Sequence, residues 1–241
     1  MEIQMKHRNN PIRFRDAWQG IRALMNDPDD TGQVFKIIRA LSGNAGERQF
    51  QKFLTSKHGP TILAEKRSLL ERLSDRDYLM TLPAGSLGRV YADFTEREQI
   101  SADGLVQASE SVPEDVEPIS AERALFGLRM RDSHDLWHVV TGYGRDLVGE
   151  AALLAFTYRQ TQNRGIGLIV LVAYWKAGNE SPEHRAMIRD GYRRSKKASW
   201  LPGADWETLL ERPLDEVRQT LGVVAVESYA ELRSEGAAAV A

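Results

Sequence analysis

The stretch HDLWHVVTGYGRDLVGE, His134 to Glu150, decides the reading of this chain, because it sets two imidazoles among acidic residues within one short segment. On a helix His134 and His138 are four apart and stack on one face, with Asp135 three before His138 and so beside it. That is the spacing of metal ligands. Glu150 follows His138 by twelve residues, which on an unbroken helix would carry it about 18 Å along the axis, too far to share an ion. The helix must therefore end. Gly142 and Gly144 flank Tyr143 where a stop is needed, and Asp146 is placed to cap a second helix that brings Glu150 back. The expected product is a helical hairpin with four donors at its base: His134, Asp135, His138 and Glu150. Imidazole nitrogen with carboxylate oxygen suits Zn²⁺, and equally Fe, Mn or Co. The plainer alternative is a solvated helix face on which Asp135 neutralises Arg131. The adjacent acid, the glycine break and the returning glutamate together favour the metal.

Working outward, Ser120 can cap a helix through Ala124, Leu125 and Leu128 that leads into the hairpin. Arg129 and Arg131 approach His134 from that side and could hold an acidic substrate, with Tyr143 on the turn as a third contact. After Glu150, AALLAF and GIGLIVLVAYW (Gly165–Trp175) supply most of the chain's apolar mass, either a plain core or a slot for a long hydrocarbon. Arg189, Arg193, Arg194, Lys196 and Lys197 are followed by Trp200 and Trp206. Basic residues beside tryptophan suit an anionic membrane surface, with a solvated basic loop as the alternative. His184 reads as a surface residue.

Towards the N-terminus, Ala17, Trp18, Ile21, Leu24 and Met25 mark an amphipathic helix, and Asp30 with Gln33 resembles a capping box ahead of Val34, Ile37, Ile38 and Leu41. A weaker helical pattern covers 47–57, and His58 falls in a turn. Ile62 to Leu73 reads as one helix. In LPAGSLG, two glycines could expose an anion-binding helix N-terminus, or Ser86 could simply cap the helix that follows. Glu110 to Glu117 is an acidic loop. Glu207 to Leu221 forms a last helix broken near Pro213. No stretch has a convincing period of two, so the fold expected is all-α, a helical bundle of about eight helices.

The 241 residues are enough for one substantial core and contain no evident linker. A single domain, 1–241, is expected, ordered over about 16–223 with flexible ends at 1–15 and 224–241. Cysteine is absent, which excludes disulfides and thiolate metal sites. A net charge of −2 gives no reason to expect nucleic acid. The N-terminus has basic residues but no apolar signal region, and the longest apolar run is eleven residues, short of the roughly twenty that span a bilayer. This reads as a bacterial cytoplasmic protein, held peripherally at the inner membrane.

The signature HDxxH, eleven residues and then Glu resembles that of the Coq4 family of ubiquinone-biosynthesis proteins. DPDDTGQVFKIIRALSG, LPAGSLGRVYADF and LLERPLDEVRQTLGV resemble further blocks of that family in the same order, so the likeness runs from about Arg22 to Val223. It implies zinc on the four donors, a polyprenylated ubiquinone precursor in the apolar slot, other ubiquinone-biosynthesis proteins as partners, and contact with a membrane. A homodimer is compatible. The reaction implied is removal of the C1 carboxylate of a polyprenylated hydroxybenzoate, with or without its replacement by hydroxyl, and Asp135 is the donor that would swing away as a base. The competing role is a prenyl-lipid-binding scaffold with a structural metal. A zinc protease is disfavoured because HDxxH shortens the acid of HExxH by one methylene. A phosphohydrolase of the HD type would require His58 or His184 to join the hairpin.

Overall fold

Residues 11–27, 30–100 and 120–232 are described by the computed structural model, and every regular element among them is helical. The acidic loop expected at 110–117, the first ten residues and the AAAVA tail lie outside the described residues. In chain order the helices are α1 (Phe14–Asn26), α2 (Thr31–Leu41), α3 (Ala45–Leu54), α4 (Gly59–Ala64), α5 (Leu69–Ser74), α6 (Arg76–Thr81) and α7 (Leu87–Arg97). They continue with α8 (Ala121–Asp132), α9 (His134–Thr141), α10 (Leu147–Thr161), α11 (Arg164–Glu180), α12 (Pro182–Arg194), a 3₁₀ turn (Leu201–Gly203), α13 (Trp206–Leu209) and α14 (Leu214–Leu221).

There are thus more helices than the eight expected, and the excess lies in short pieces. The single helix expected over 62–73 is two, because Lys66 takes a left-handed conformation at φ 51° and Ser68 restarts the chain by accepting from the Glu71 amide. Helices of six residues are shorter than two turns, so no hydrophobic period can reveal them. The capping residues were readable. Asp30, Ser86, Ser120 and Asp146 each accept a hydrogen bond from an amide in the first turn of the following helix.

The packing is layered. α1 pairs with α2, α2 lies on α11, and α10 is packed between α11 and α12. Ile21, Ile37 and Ile169 fill the first junction, and Ala151, Ala155, Ala177 and Ile188 the second. The main core surrounds α9. Leu136, Trp137, Val139 and Val140 from that helix meet Leu87, Tyr91 and Phe94 of α7, Phe156 of α10, Trp206 of α13 and Val217 of α14. From Asp135 to Thr141 every residue of α9 is buried. A helix buried on all sides is enclosed by its neighbours, and this enclosure fixes His138 in place.

The LPAGSLG segment serves this core and offers no anion site. The Leu87 and Gly88 amides donate to the Arg212 and Leu210 carbonyls at 2.9 Å each. Ser86 forms an isolated antiparallel bridge with Pro213. The amides that could have held an anion are consumed by the chain that leads into α14.

The chain beyond α14 differs from the expected flexible end. Residues 224–232 have no regular structure, yet they lie along the hairpin of α9 and α10. Val226 N donates to Thr141 O at 2.8 Å, and Leu147 N donates to Leu232 O at 2.8 Å. The Arg194 guanidinium holds the carbonyls of Val224 and Ala225 at 3.0 and 2.9 Å.

Candidate metal centre

The hairpin forms because both of its ends are satisfied locally. α9 stops at Gly142, whose φ of 78° is left-handed and costs an L side chain strain that glycine escapes. Its terminal carbonyls are all engaged. Gly142 N donates to His138 O at 2.8 Å, and Arg218 donates to the Val139 and Val140 carbonyls at 3.1 and 3.0 Å. α10 begins with Asp146, whose Oδ1 accepts from the Val148 and Gly149 amides at 3.0 and 3.2 Å. One turn into α10, Glu150 faces back across the gap.

His134, His138 and Glu150 converge there, each offering one ligand atom within 4.8 Å of the others. The two Nε2 atoms are 3.2 Å apart, His138 Nε2 is 3.3 Å from Glu150 Oε1, and His134 Nε2 is 3.7 Å from Glu150 Oε2. A tetrahedral ion with ligands at 2.0–2.1 Å requires donors about 3.3 Å from one another, so a divalent ion would sit among these three with little adjustment. The His138 ring is oriented for it. Nδ1 lies 2.9 Å from the Tyr143 carbonyl, which can only accept, so the proton is on Nδ1 and the Nε2 lone pair is free. Phe94 stacks on the same ring at 5.8 Å between centroids.

Burial is graded across the cluster. The His138 side chain is inaccessible, whereas His134 and Glu150 keep 24% and 30% of theirs exposed. The centre therefore opens on one side. Burial disfavours charge on both partners of the inner pair, but their mutual attraction outweighs it. The Glu150 carboxyl is held well below the carboxylate range by His138 and His134, and the His138 imidazole is raised above its ordinary 6.5 by Glu150 and Asp135. Such a paired, partly desolvated proton is what a cation would displace.

The remaining expected residues fall elsewhere. Asp135 is buried beside the histidines and acts on His138 electrostatically; the three residues whose ligand atoms already lie together are His134, His138 and Glu150. Arg129 is engaged within the fold. Its side chain is buried, and both Nη atoms bond to Glu207, with Nη2 reaching Oε2 at 2.9 Å. Arg131 is engaged by Asp132, Nε to Oδ1 at 2.8 Å. The Tyr143 ring is enclosed in the core, edge-on to Tyr229 at 6.5 Å, and its hydroxyl is buried without a hydrogen-bond partner. Burial pushes its phenol up, and the contribution of Tyr143 to the centre is its carbonyl.

Arg145 went unread in the sequence although it lies inside the same stretch. Its Nε is 3.9 Å from Glu150 Oε1 and its side chain is 32% exposed, so a cation stands at the open side of the cluster. Spacing alone does not tell which way a loop arginine points. His58 is placed 3.8 Å from Asp205, and neither it nor His184 belongs to the converging group. The condition for an HD-type phosphohydrolase is not met among the described residues.

These features define a class: an all-α protein with two histidines four apart and a glutamate from the next helix around one candidate cation position. A family model described as "Coenzyme Q (ubiquinone) biosynthesis protein Coq4" matches residues 16–227, and the chain belongs to the Coq4 family of ubiquinone biosynthesis proteins. The "Ubiquinone biosynthesis protein coq4, mitochondrial" of Talaromyces stipitatus is 31% identical over 182 residues, 75% of this chain and 61% of that protein. The corresponding protein of Candida dubliniensis is 28% identical over 189 residues, 76% of this chain and 55% of that one. The chain thus spans less than two thirds of the length of these relatives. The fold is shared with a crystal structure from Nostoc punctiforme of a protein assigned to ubiquinone biosynthesis, at a TM-score of 0.63 and 20% identity, covering 88% of this chain and 99% of that one.

Proposed function

We propose that this chain removes the C1 carboxylate from a polyprenylated hydroxybenzoate-type precursor of ubiquinone, using a divalent ion held by His134, His138 and Glu150. The observation that carries the reading is the three-donor cluster with an open side. Closed structural sites use four protein ligands, whereas catalytic sites keep a position free. When bound, such an ion supplies Lewis acidity toward the ring's carboxylate and neighbouring oxygen. Zinc is the expected occupant, and Fe, Mn or Co suit the same donors.

The chain's own residues divide the remaining work. Arg145 stands where it can pair with the substrate carboxylate, a role for which a planar guanidinium is suited. Tyr143 O holds the His138 proton on Nδ1 and keeps Nε2 directed at the ion. Asp135, buried beside His138, is poorly placed to act as a mobile base. In the reaction the C1–carboxylate bond breaks, its electron pair passes to the ring, and a proton from solvent at the open side takes the vacated position. Replacement by hydroxyl would require O₂ as oxidant and a redox-active metal.

For the membrane contact another face is better supported than the basic run. Trp206 is buried and Trp200 donates from Nε1 to Gln49 Oε1 at 3.1 Å, so neither is free for a lipid surface. Among the described residues Phe14 and Trp18 of α1 and Leu171 and Trp175 of α11 are the most exposed large apolar side chains, each more than 60% accessible. They support peripheral docking, the feature that a scaffold role would also use, and no described helix is long and apolar enough to cross a membrane. Between α10, α11 and α12 an open groove of about 290 Å³ is lined by Ala155, Val170, Tyr174, Ile188 and Tyr192 together with the basic Arg189, Arg193 and Lys196, and its apolar floor supports the reading of a hydrocarbon slot. Purified, metal-loaded protein given a short-chain prenyl hydroxybenzoate should release CO₂, and His134→Ala should abolish the release. Binding of the substrate without any turnover would overturn the catalytic reading in favour of the scaffold. Whether the product carries hydrogen or hydroxyl at C1 distinguishes the two forms of the reaction.

A further inference from the structure

The segment 224–232 does more than cover the hairpin. The Tyr229 hydroxyl accepts from Gly144 N at 2.8 Å and donates to Asp146 Oδ2, so a single oxygen ties the turn after Tyr143 to the cap of α10. The other Asp146 oxygen, Oδ1, accepts from Val148 N, Gly149 N and, at 3.1 Å, Leu232 N. Asp146 is only 2% exposed, and its carboxylate orientation is fixed from both sides. The Glu150 amide in turn donates to Asp146 O at 2.8 Å, one turn on. The hairpin is shaped to receive this segment. A Cβ on Gly142 would come within 2.8 Å of Val226 O, and one on Gly144 or Gly149 within 3.0 or 2.3 Å of the Tyr229 hydroxyl. The three glycines around the candidate ligands thus leave room for the strap.

We propose that Tyr229, seated by the strap 224–232, is a positioning residue for the metal centre: its hydroxyl sets Asp146, Asp146 sets the first turn of α10, and that turn aims Glu150. The same hydroxyl holds Gly144, next to the Tyr143 carbonyl that orients His138, so both arms of the site are adjusted from one point. Groups that orient metal ligands in this indirect way typically alter affinity 10–100-fold when removed. The inference rests on the reading of His134, His138 and Glu150 as metal ligands, and the experiment separates the two.

The full chain is titrated with Co²⁺, whose visible d–d bands report coordination, as wild type and as Tyr229→Phe. The phenylalanine keeps the ring against Tyr143 and deletes only the hydroxyl. The expected result is a Co²⁺ Kd weakened roughly 10-fold or more and altered d–d bands, with the metal-free protein still folded and its melting temperature lowered by only several degrees. An unchanged Kd and spectrum would overturn the proposal while leaving the metal site standing. Wild-type binding that is absent, or insensitive to His134→Ala, would remove the metal reading and this inference with it. Hydrogen exchange on the wild-type chain supplies a second readout that no folding defect can cloud. Coupling is reciprocal, so Co²⁺ should slow exchange of the Val226 and Leu232 amides. Equal exchange with and without Co²⁺ would contradict the role.

Discussion

His138 illustrates how surroundings assign a residue its chemistry. Burial by itself pulls its proton affinity down, yet the carboxylates of Glu150 and Asp135 more than offset this, so its folded value lies above 6.5 while that of Glu150 lies below 4.5. The raised histidine stabilises the fold below pH 6.5 and loses that contribution as pH rises through its folded value. The depressed glutamate stabilises it above pH 4.5 and loses that contribution as pH falls toward its folded value. Metal-free protein should therefore melt highest between those limits, and Glu150→Gln should flatten the profile. Calorimetry across pH checks this. Metal-loaded protein should behave oppositely on the acid side, because protons compete for His138, and the gain in melting temperature from metal should shrink as pH falls. Arg129 supplies the contrast. Removing one partner of a buried pair leaves the other uncompensated, so Arg129→Ala should cost about 3–5 kcal/mol in denaturant unfolding while leaving Co²⁺ affinity intact in the folded fraction. Loss of substrate affinity at full stability would instead return Arg129 to the substrate.

At the scale of elements, the hairpin depends on its turn. Gly142→Ala places a side chain in a left-handed conformation, worth about 1–2 kcal/mol, and brings Cβ against the Val226 carbonyl. Thermal unfolding should show at least that loss. This turn, the Asp146 cap and the three converging candidate donors were legible because all lie within one contiguous stretch, where helical geometry alone fixes their relation. The role of Arg129 was not, since its partner Glu207 is 78 residues away. Arg145 was missed because a loop side chain has no period to give its direction. Tyr229 follows the last helix in a run with neither period nor cap, and only its contacts reveal that it belongs to the site. Local composition likewise could not tell that Trp206, after the basic run, is enclosed in the main core.

For the molecule as a whole, the proposed membrane contact falls on the exposed apolar residues of α1 and α11. Trp18→Ser with Trp175→Ser should reduce sedimentation of the protein with phosphatidylglycerol-containing vesicles several-fold, without affecting Co²⁺ binding. An unchanged partition would place the membrane contact elsewhere. The account rests on one cation shared by the two arms of the hairpin, and X-ray absorption at the metal edge of the loaded protein tests it most directly. It predicts one ion per chain in a shell of nitrogen and oxygen with two imidazoles, which loses an oxygen donor in Glu150→Ala. A shell with fewer than two imidazoles, or one that Glu150→Ala leaves unchanged, would contradict it.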